Sequence, residues 1–213
     1  MSLSSEPGSS LHSSSSHGNS SKQPRSVIVR DAQASDVTKL AETIVSSFYN
    51  DLGFFFWVNP LLQFTVAEDL RYRLNNHPPL YRCLAATAID RQEAGQQKTN
   101  QQKAIAGTVE IAVKQSFWLA KTNHAQYPYI SNLAVKADFR RQGIAKKLLS
   151  KCEQIAQNWG YDKIQLHVLA DNQQAKQLYL SFGYRIIAQE SHWNGFFQPF
   201  AIRLLLQKTI KDS

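Results

Sequence analysis

From residue 27 onward the spacing of apolar side chains changes from segment to segment, and each change predicts an element. Residues 27–30, Val-Ile-Val-Arg, make a short β-branched run that reads as a first strand. Ser35 and Asp36 then offer a helix start, and Val37, Leu40, Ala41, Ile44, Val45 and Phe48 recur at helical spacing. Asp51-Leu52-Gly53 is expected to end that helix. A second helix is expected over residues 63–75, stopped by His77-Pro78-Pro79. Residues 81–89 and 104–113 read as strands joined by a loose hairpin loop, the glutamine-rich stretch 91–103. A further loop leads into a strand over 129–135.

The second half carries the clearer pattern. Apolar residues at 144, 145, 148, 149, 152, 155, 156 and 159 define an amphipathic helix, and Gly160 stands where a helix commonly ends. A strand over 163–168 follows, so the order strand–helix–strand implies parallel strands and a right-handed crossover. Asn172 is then a natural cap and Gly183 a natural stop for another helix, with Ala175 and Tyr179 on one face.

Composition bounds this picture. The 213 residues, 43% hydrophobic, suffice for one medium-sized domain, expected over residues 26–213. Residues 1–25 hold eleven serines and few large apolar side chains, so they are expected to form a disordered tail. With no apolar stretch the tail is not a secretory signal. Its serines, with Glu6 as the only acid, leave a plastid location as the alternative to a cytoplasmic one. Two cysteines, Cys83 and Cys152, make neither a disulfide framework nor a zinc spacing, and no metal is expected. Apolar runs are strand-sized, so no membrane partner is expected.

The formal net charge of +8 favours anionic partners. Between residues 136 and 163 seven basic residues (Lys136, Arg140, Arg141, Lys146, Lys147, Lys151, Lys163) face three acidic ones (Asp138, Glu153, Asp162). A solvated helix face would explain that run alone, but the run surrounds a small-residue turn, Arg140-Arg141-Gln142-Gly143-Ile144-Ala145-Lys146, between a strand and a helix start. At such a start the first backbone N–H groups lack intrahelical partners and the dipole is positive, a geometry that holds phosphate. An isolated R-x-x-G-x-A is equally an ordinary turn. No aromatic pattern of a nucleic-acid binder accompanies it, and no nucleic-acid partner is expected.

Taken with the strand before it and the helix from Asn172 to Gly183, the stretch 129–184 resembles the GCN5-related N-acetyltransferase superfamily. That resemblance implies an α/β (α+β) fold: a mixed central sheet of about six to seven strands, with splayed parallel strands four and five, flanked by about four helices. It implies an acetyl-coenzyme A-dependent N-acetyltransferase working by direct attack in a ternary complex, as a monomer or weak homodimer. In the superfamily the R-x-x-G-x-[GA] loop binds the diphosphate of coenzyme A, here residues 141–146 with Arg140 at the first position. The pantetheine arm would pair with the backbone of Leu133, Ala134 and Val135. Asn172, Gln173 and Gln174 would touch the cofactor, and Tyr179 matches the tyrosine beside the thioester sulfur.

Tyr129 and His167 look like the tyrosine–histidine pair that deprotonates the amine in certain N-terminal protein acetyltransferases. The strand Tyr-Ile-Ser-Asn-Leu-Ala-Val and the helix end Cys-Glu-x-x-Ala-x-x-Trp-Gly look like the plant plastid enzymes that act on N-termini and lysines. Where the usual glutamate base would stand there are only Ser131 and Asn132. On its strand His167 shares a face with Gln165, so it points to solvent or into a polar cleft. Freeing a lysine amine at pH 7 costs roughly 4–5 kcal/mol, against about 1 for an α-amine, so a histidine base favours N-termini. A Tyr179 phenol giving its proton fully to a thiolate would be uphill by about 2 kcal/mol, which leaves hydrogen-bond donation as its role. Cys152 belongs to the apolar stripe of its helix. The Phe54-Phe55-Phe56-Trp57 cluster is core packing or a wall of the acceptor site. A small-amine acetyltransferase and a non-catalytic coenzyme A-binding or nucleic-acid-binding module stand as the other readings.

Overall fold

A computed structural model describes residues 26–48, 59–76, 78–89, 104–115, 126–192 and 201–210. The 1–25 tail, Asp51-Leu52-Gly53, the Phe54-to-Trp57 cluster and the 91–103 stretch lie outside the described residues. Seven strands form one sheet in the order β1-β2-β3-β4-β5-β7-β6. They are β1 (Ser26–Asp31), β2 (Tyr81–Ile89), β3 (Ala104–Gln115), β4 (Gln126–Val135), β5 (Lys163–Leu169), β6 (Arg185–His192) and β7 (Ala201–Thr209). The helices are α1 (Val37–Phe48), α2 (Asn59–Asn76), α3 (Ile144–Asn158) and α4 (Gln173–Ser181). β4 and β5 are the parallel pair, and every other neighbour pairs antiparallel. No helix among the described residues is long and apolar enough to cross a membrane.

Most sequence expectations fall on these elements. Two starts need correcting: β4 begins at Gln126, ahead of the expected 129, and the second helix starts at Asn59, ahead of the expected 63. Pro60 lies in its first turn, where a missing N–H costs nothing. Its apolar residues do not keep to one face, since Leu61, Phe64 and Tyr72 are exposed while Leu70 is buried. That scatter hides the helical period from a sequence reading.

The sheet separates two apolar layers. On one face Val37, Leu40, Ala41 and Ile44 of α1 and Leu70 of α2 pack on Cys83, Ala85, Ile105 and Ala134. On the other, Ile144, Leu148, Leu149, Cys152 and Ala156 of α3 and Tyr179 of α4 pack on Leu84, Val109, Ile111, Ile130, Ile164, Leu166 and Val168. Each fully buried Leu or Ile contributes about 1.5–3 kcal/mol. Cys152 is in this core as expected, and burial pushes its thiol well above the usual range.

Helix ends follow from their sequences. Gly160 at φ +84 lets Tyr161 N–H reach the Ala156 carbonyl at 3.0 Å, satisfying the end of α3. Asn172 caps α4 by accepting from the Ala175 N–H at 3.0 Å.

Candidate active site

The site begins with an interruption in β4. Thr108 of β3 lies opposite Ala134 and Glu110 opposite Ser131, so Asn132 and Leu133 together face the single residue Val109. This is a β-bulge, and Asn132 takes φ +52 to make it. Its side chain turns toward β3, where Nδ2 donates to Glu110 Oε1 at 2.6 Å. The bulge also brings the two backbones close: a Cβ on Gly107 would meet the Ala134 carbonyl oxygen at 2.8 Å.

On the other side of β4 the consequence is an opening. The parallel ladder with β5 consists of Tyr129 opposite Gln165 and Ile130 opposite Leu166, and ends there. Past Ile130 the strands diverge. Leu133, Ala134 and Val135 therefore edge a gap in the middle of the sheet, while the Val135 carbonyl accepts from Arg140 Nε at 3.2 Å.

The small-residue turn stands at the wide end of this gap. Arg141 at φ +63 and Gly143 at φ +77 both take left-handed conformations. Gly143 caps α3, whose first intrahelical bond runs from Lys147 N–H to the Gly143 carbonyl at 3.1 Å. The N–H groups of Ile144, Ala145 and Lys146 thus point out of the helix start, which a diphosphate fits. Ile144 is buried and anchors the turn to the core, whereas Arg140, Arg141, Gln142, Gly143 and Lys146 are exposed. Asn172, Gln173 and Gln174 are exposed at the start of α4. Gln173 Nε2 donates to the Ala170 carbonyl at 3.1 Å.

At the narrow end of the gap the structure joins Tyr129 and His167. Tyr129 Oη lies 2.9 Å from His167 Nδ1. Residues 164, 166 and 168 of β5 are buried on the α3 side, so the alternation sends His167 to the opposite face, with its side chain 16% exposed. It occupies a polar cleft rather than open solvent. Three further side chains complete the cluster. Lys114 Nζ sits 3.5 Å from the Tyr129 ring centroid. Glu190 Oε2 lies 3.2 Å from His167 Nε2, off the line of a hydrogen bond. Arg203 stands opposite Glu190 on the neighbouring strand and acts on both Tyr129 and His167.

These surroundings set the proton affinities. Burial lowers the His167 pKa and Arg203 lowers it further, while Glu190 pulls the other way, so the ring is neutral near pH 7. The Tyr129 phenol is raised by burial against the opposing pull of Arg203. Tyr179 of α4 lies in the core on the α3 side of the sheet; it is 7% exposed, packs edge-on against Tyr184 at 5.9 Å and is held protonated by burial.

Sequence reasoning missed Glu110, Glu190 and Arg203 beside the site. The Ser131 position is not bare of carboxylate, because Glu110 stands opposite it. Glu110 is fully buried and bound by Arg73, by Tyr81 Oη at 2.8 Å and by Asn132, so it ties α2 and β2 to the bulge. An acidic residue at an inward position of an otherwise apolar strand was the available signal. Glu190 and Arg203 gave no comparable signal, since only the antiparallel pairing of β6 with β7 brings them to His167.

Comparison with known proteins bears on family and fold. GCN5-related N-acetyltransferase 10, chloroplastic, of Arabidopsis thaliana is 26% identical over 165 residues, which are 76% of this chain and 60% of that protein. GCN5-related N-acetyltransferase 4, chloroplastic, of the same plant is 31% identical over 180 residues, 76% of this chain and 61% of that protein. The chain therefore spans about three fifths of the length of these relatives. The structure of PaiA N-acetyltransferase from Thermoplasma acidophilum in complex with coenzyme A shares the fold, with a TM-score of 0.57 at 16% identity over 86% of this chain and 99% of that one. The sequence profile of the acetyltransferase (GNAT) family matches residues 62–184, from α2 through the turn at Gly143 to just past α4, and the chain belongs to that family.

Proposed function

We propose that this chain transfers the acetyl group of acetyl-coenzyme A to the α-amine of protein or peptide N-termini, with lysine ε-amines as a second acceptor class. The observation that carries this reading is the Tyr129–His167 hydrogen bond at the point where β4 and β5 stop pairing. An ammonium must lose a proton before it can attack a thioester, and the gap leads from this pair to the open helix start at Gly143.

On the cofactor side, the N–H groups of residues 143–146 hold the diphosphate, with Arg140, Arg141, Gln142 and Lys146 around it. The backbone of Leu133, Ala134 and Val135 pairs with the pantetheine arm, as an added strand would. Asn172, Gln173 and Gln174 border the same arm. On the acceptor side the substrate ammonium gives a proton to the Tyr129–His167 pair. The freed nitrogen attacks the thioester carbonyl carbon, and the oxyanion lies near the Leu133 amide. The carbon–sulfur bond then breaks. Tyr179, kept protonated by burial, donates a hydrogen bond to the departing sulfur, and the nitrogen's second proton balances the thiolate, giving an amide and coenzyme A.

A neutral, weakly basic imidazole suits an α-amine better than a lysine, whose deprotonation at pH 7 costs roughly 3 kcal/mol more. Lys114 and Arg203 beside the pair disfavour polycationic small amines. The chloroplastic names of the two plant relatives favour the plastid location over the cytoplasmic one. The decisive assay uses two peptides of one sequence, one with its lysine blocked and the other with its N-terminus blocked. Faster turnover of the free α-amine is expected; turnover of spermidine with neither peptide accepted would refute the reading.

A further inference from the structure

His167 has two ring nitrogens, and only one arrangement of its single proton suits a base that works through Tyr129. Nδ1 must carry the lone pair so that the phenol can donate to it, which leaves the proton on Nε2. Nε2 is buried, and Glu190 Oε2 is 3.2 Å away, within reach of Nε2–H though off the line of a well-formed hydrogen bond. The opposite tautomer would set the Nε2 lone pair against that carboxylate, which is repulsive, whereas Nε2–H toward it is attractive. Once His167 has accepted a proton, both nitrogens carry hydrogen and the same carboxylate stabilises the imidazolium.

Among the described residues, the charged and titratable groups around the ring are Tyr129 on β4, Lys114 on β3, Arg203 on β7 and Glu190 on β6, with Tyr127 beside Glu190. Glu190 is the only anion among them. Arg203 stands opposite it in the β6–β7 register.

We infer that Glu190 is the positioning residue of this site: its carboxylate holds His167 in the Nε2–H form, so that Nδ1 is the proton acceptor for Tyr129. The inference rests on the proposed role of His167 as the base. Nothing in the span 129–184 that carries the family resemblance contains this group, because it arrives on a later strand.

The experiment reads the tautomer without turnover. In protein labelled with ¹⁵N-histidine at pH 8, long-range proton–nitrogen correlations, with His167 assigned by its loss in His167→Gln, are expected to show Nε2–H. In Glu190→Ala the resonances move toward a mixture of tautomers, and kcat falls about tenfold, as when the partner of a working histidine is removed. KM for acetyl-coenzyme A stays unchanged, because the diphosphate turn is untouched. Glu190→Gln keeps the shape and an acceptor oxygen while removing the charge. It is expected to retain the Nε2–H form and to shift the acid limb of kcat/KM to lower pH. Nδ1–H in the wild type, or Nε2–H with full kcat in Glu190→Ala, overturns the inference. Wild-type turnover by His167→Gln instead removes the base reading beneath it, so the two failures are distinguishable.

Discussion

Two residues show how local backbone and burial set the chemistry. Gly143 has no atom near its missing Cβ, so space is not what demands glycine there; its φ of +77 does. Gly143→Ala is expected to cost about 1 kcal/mol of stability and to raise KM for acetyl-coenzyme A as the turn relaxes, seen together in melting curves and initial rates. For His167 the sign follows from burial. Its folded pKa is below the usual 6.5, so the unfolded chain binds more protons in the window between the two values. Stability contributed by neutral His167 is present above that window and lost as pH falls through it. The neutral form persists below pH 6.5, so the acid limb of kcat/KM is expected below 6.5. A limb above 7 would contradict a buried imidazole base.

At the scale of elements, the bulge in β4 depends on a neighbour in a way that neither strand reveals alone. Glu110 binds Asn132 of the bulge, Arg73 of α2 and Tyr81 of β2 at once. Glu110→Gln leaves Arg73, which is 28% exposed, with only its Asp69 pair, and a loss of about 1–3 kcal/mol is expected in chemical denaturation, with weaker acetyl-coenzyme A binding as the gap loses its shape. Elements with strong local signals were legible in the sequence. The stripe of α3 with Gly160, the cap at Asn172 and the Tyr129–His167 pairing needed only short-range spacing and one resemblance. What escaped was set by contacts distant in the chain: α2, whose apolar residues point several ways, and the Glu190–Arg203 pair, which forms only when β7 enters between β5 and β6. Sequence periodicity reports which face a residue takes. It carries no information about which strand lies alongside.

For the whole molecule, basic charge and sheet topology act together. Arg140, Arg141 and Lys146 stand exposed around the helix start, where on the proposed reading they would draw a polyphosphate toward the gap. Added salt screens such attraction over roughly 8–10 Å, so coenzyme A affinity is expected to fall as ionic strength rises. The two-residue ladder of β4 and β5 has a mechanical result. Along the backbone the sheet is two slabs, β1 to β4 and β5 with β7 and β6, stitched together by two rungs at Tyr129–Gln165 and Ile130–Leu166. A pantetheine chain lying in the cleft would supply the missing rungs. Saturating coenzyme A at a hundred times its Kd should therefore add about 2.7 kcal/mol to unfolding. Slowed deuterium uptake would concentrate on the two facing lips, at 133–135 and 168–170, making the cosubstrate a splint for the fold that carries it.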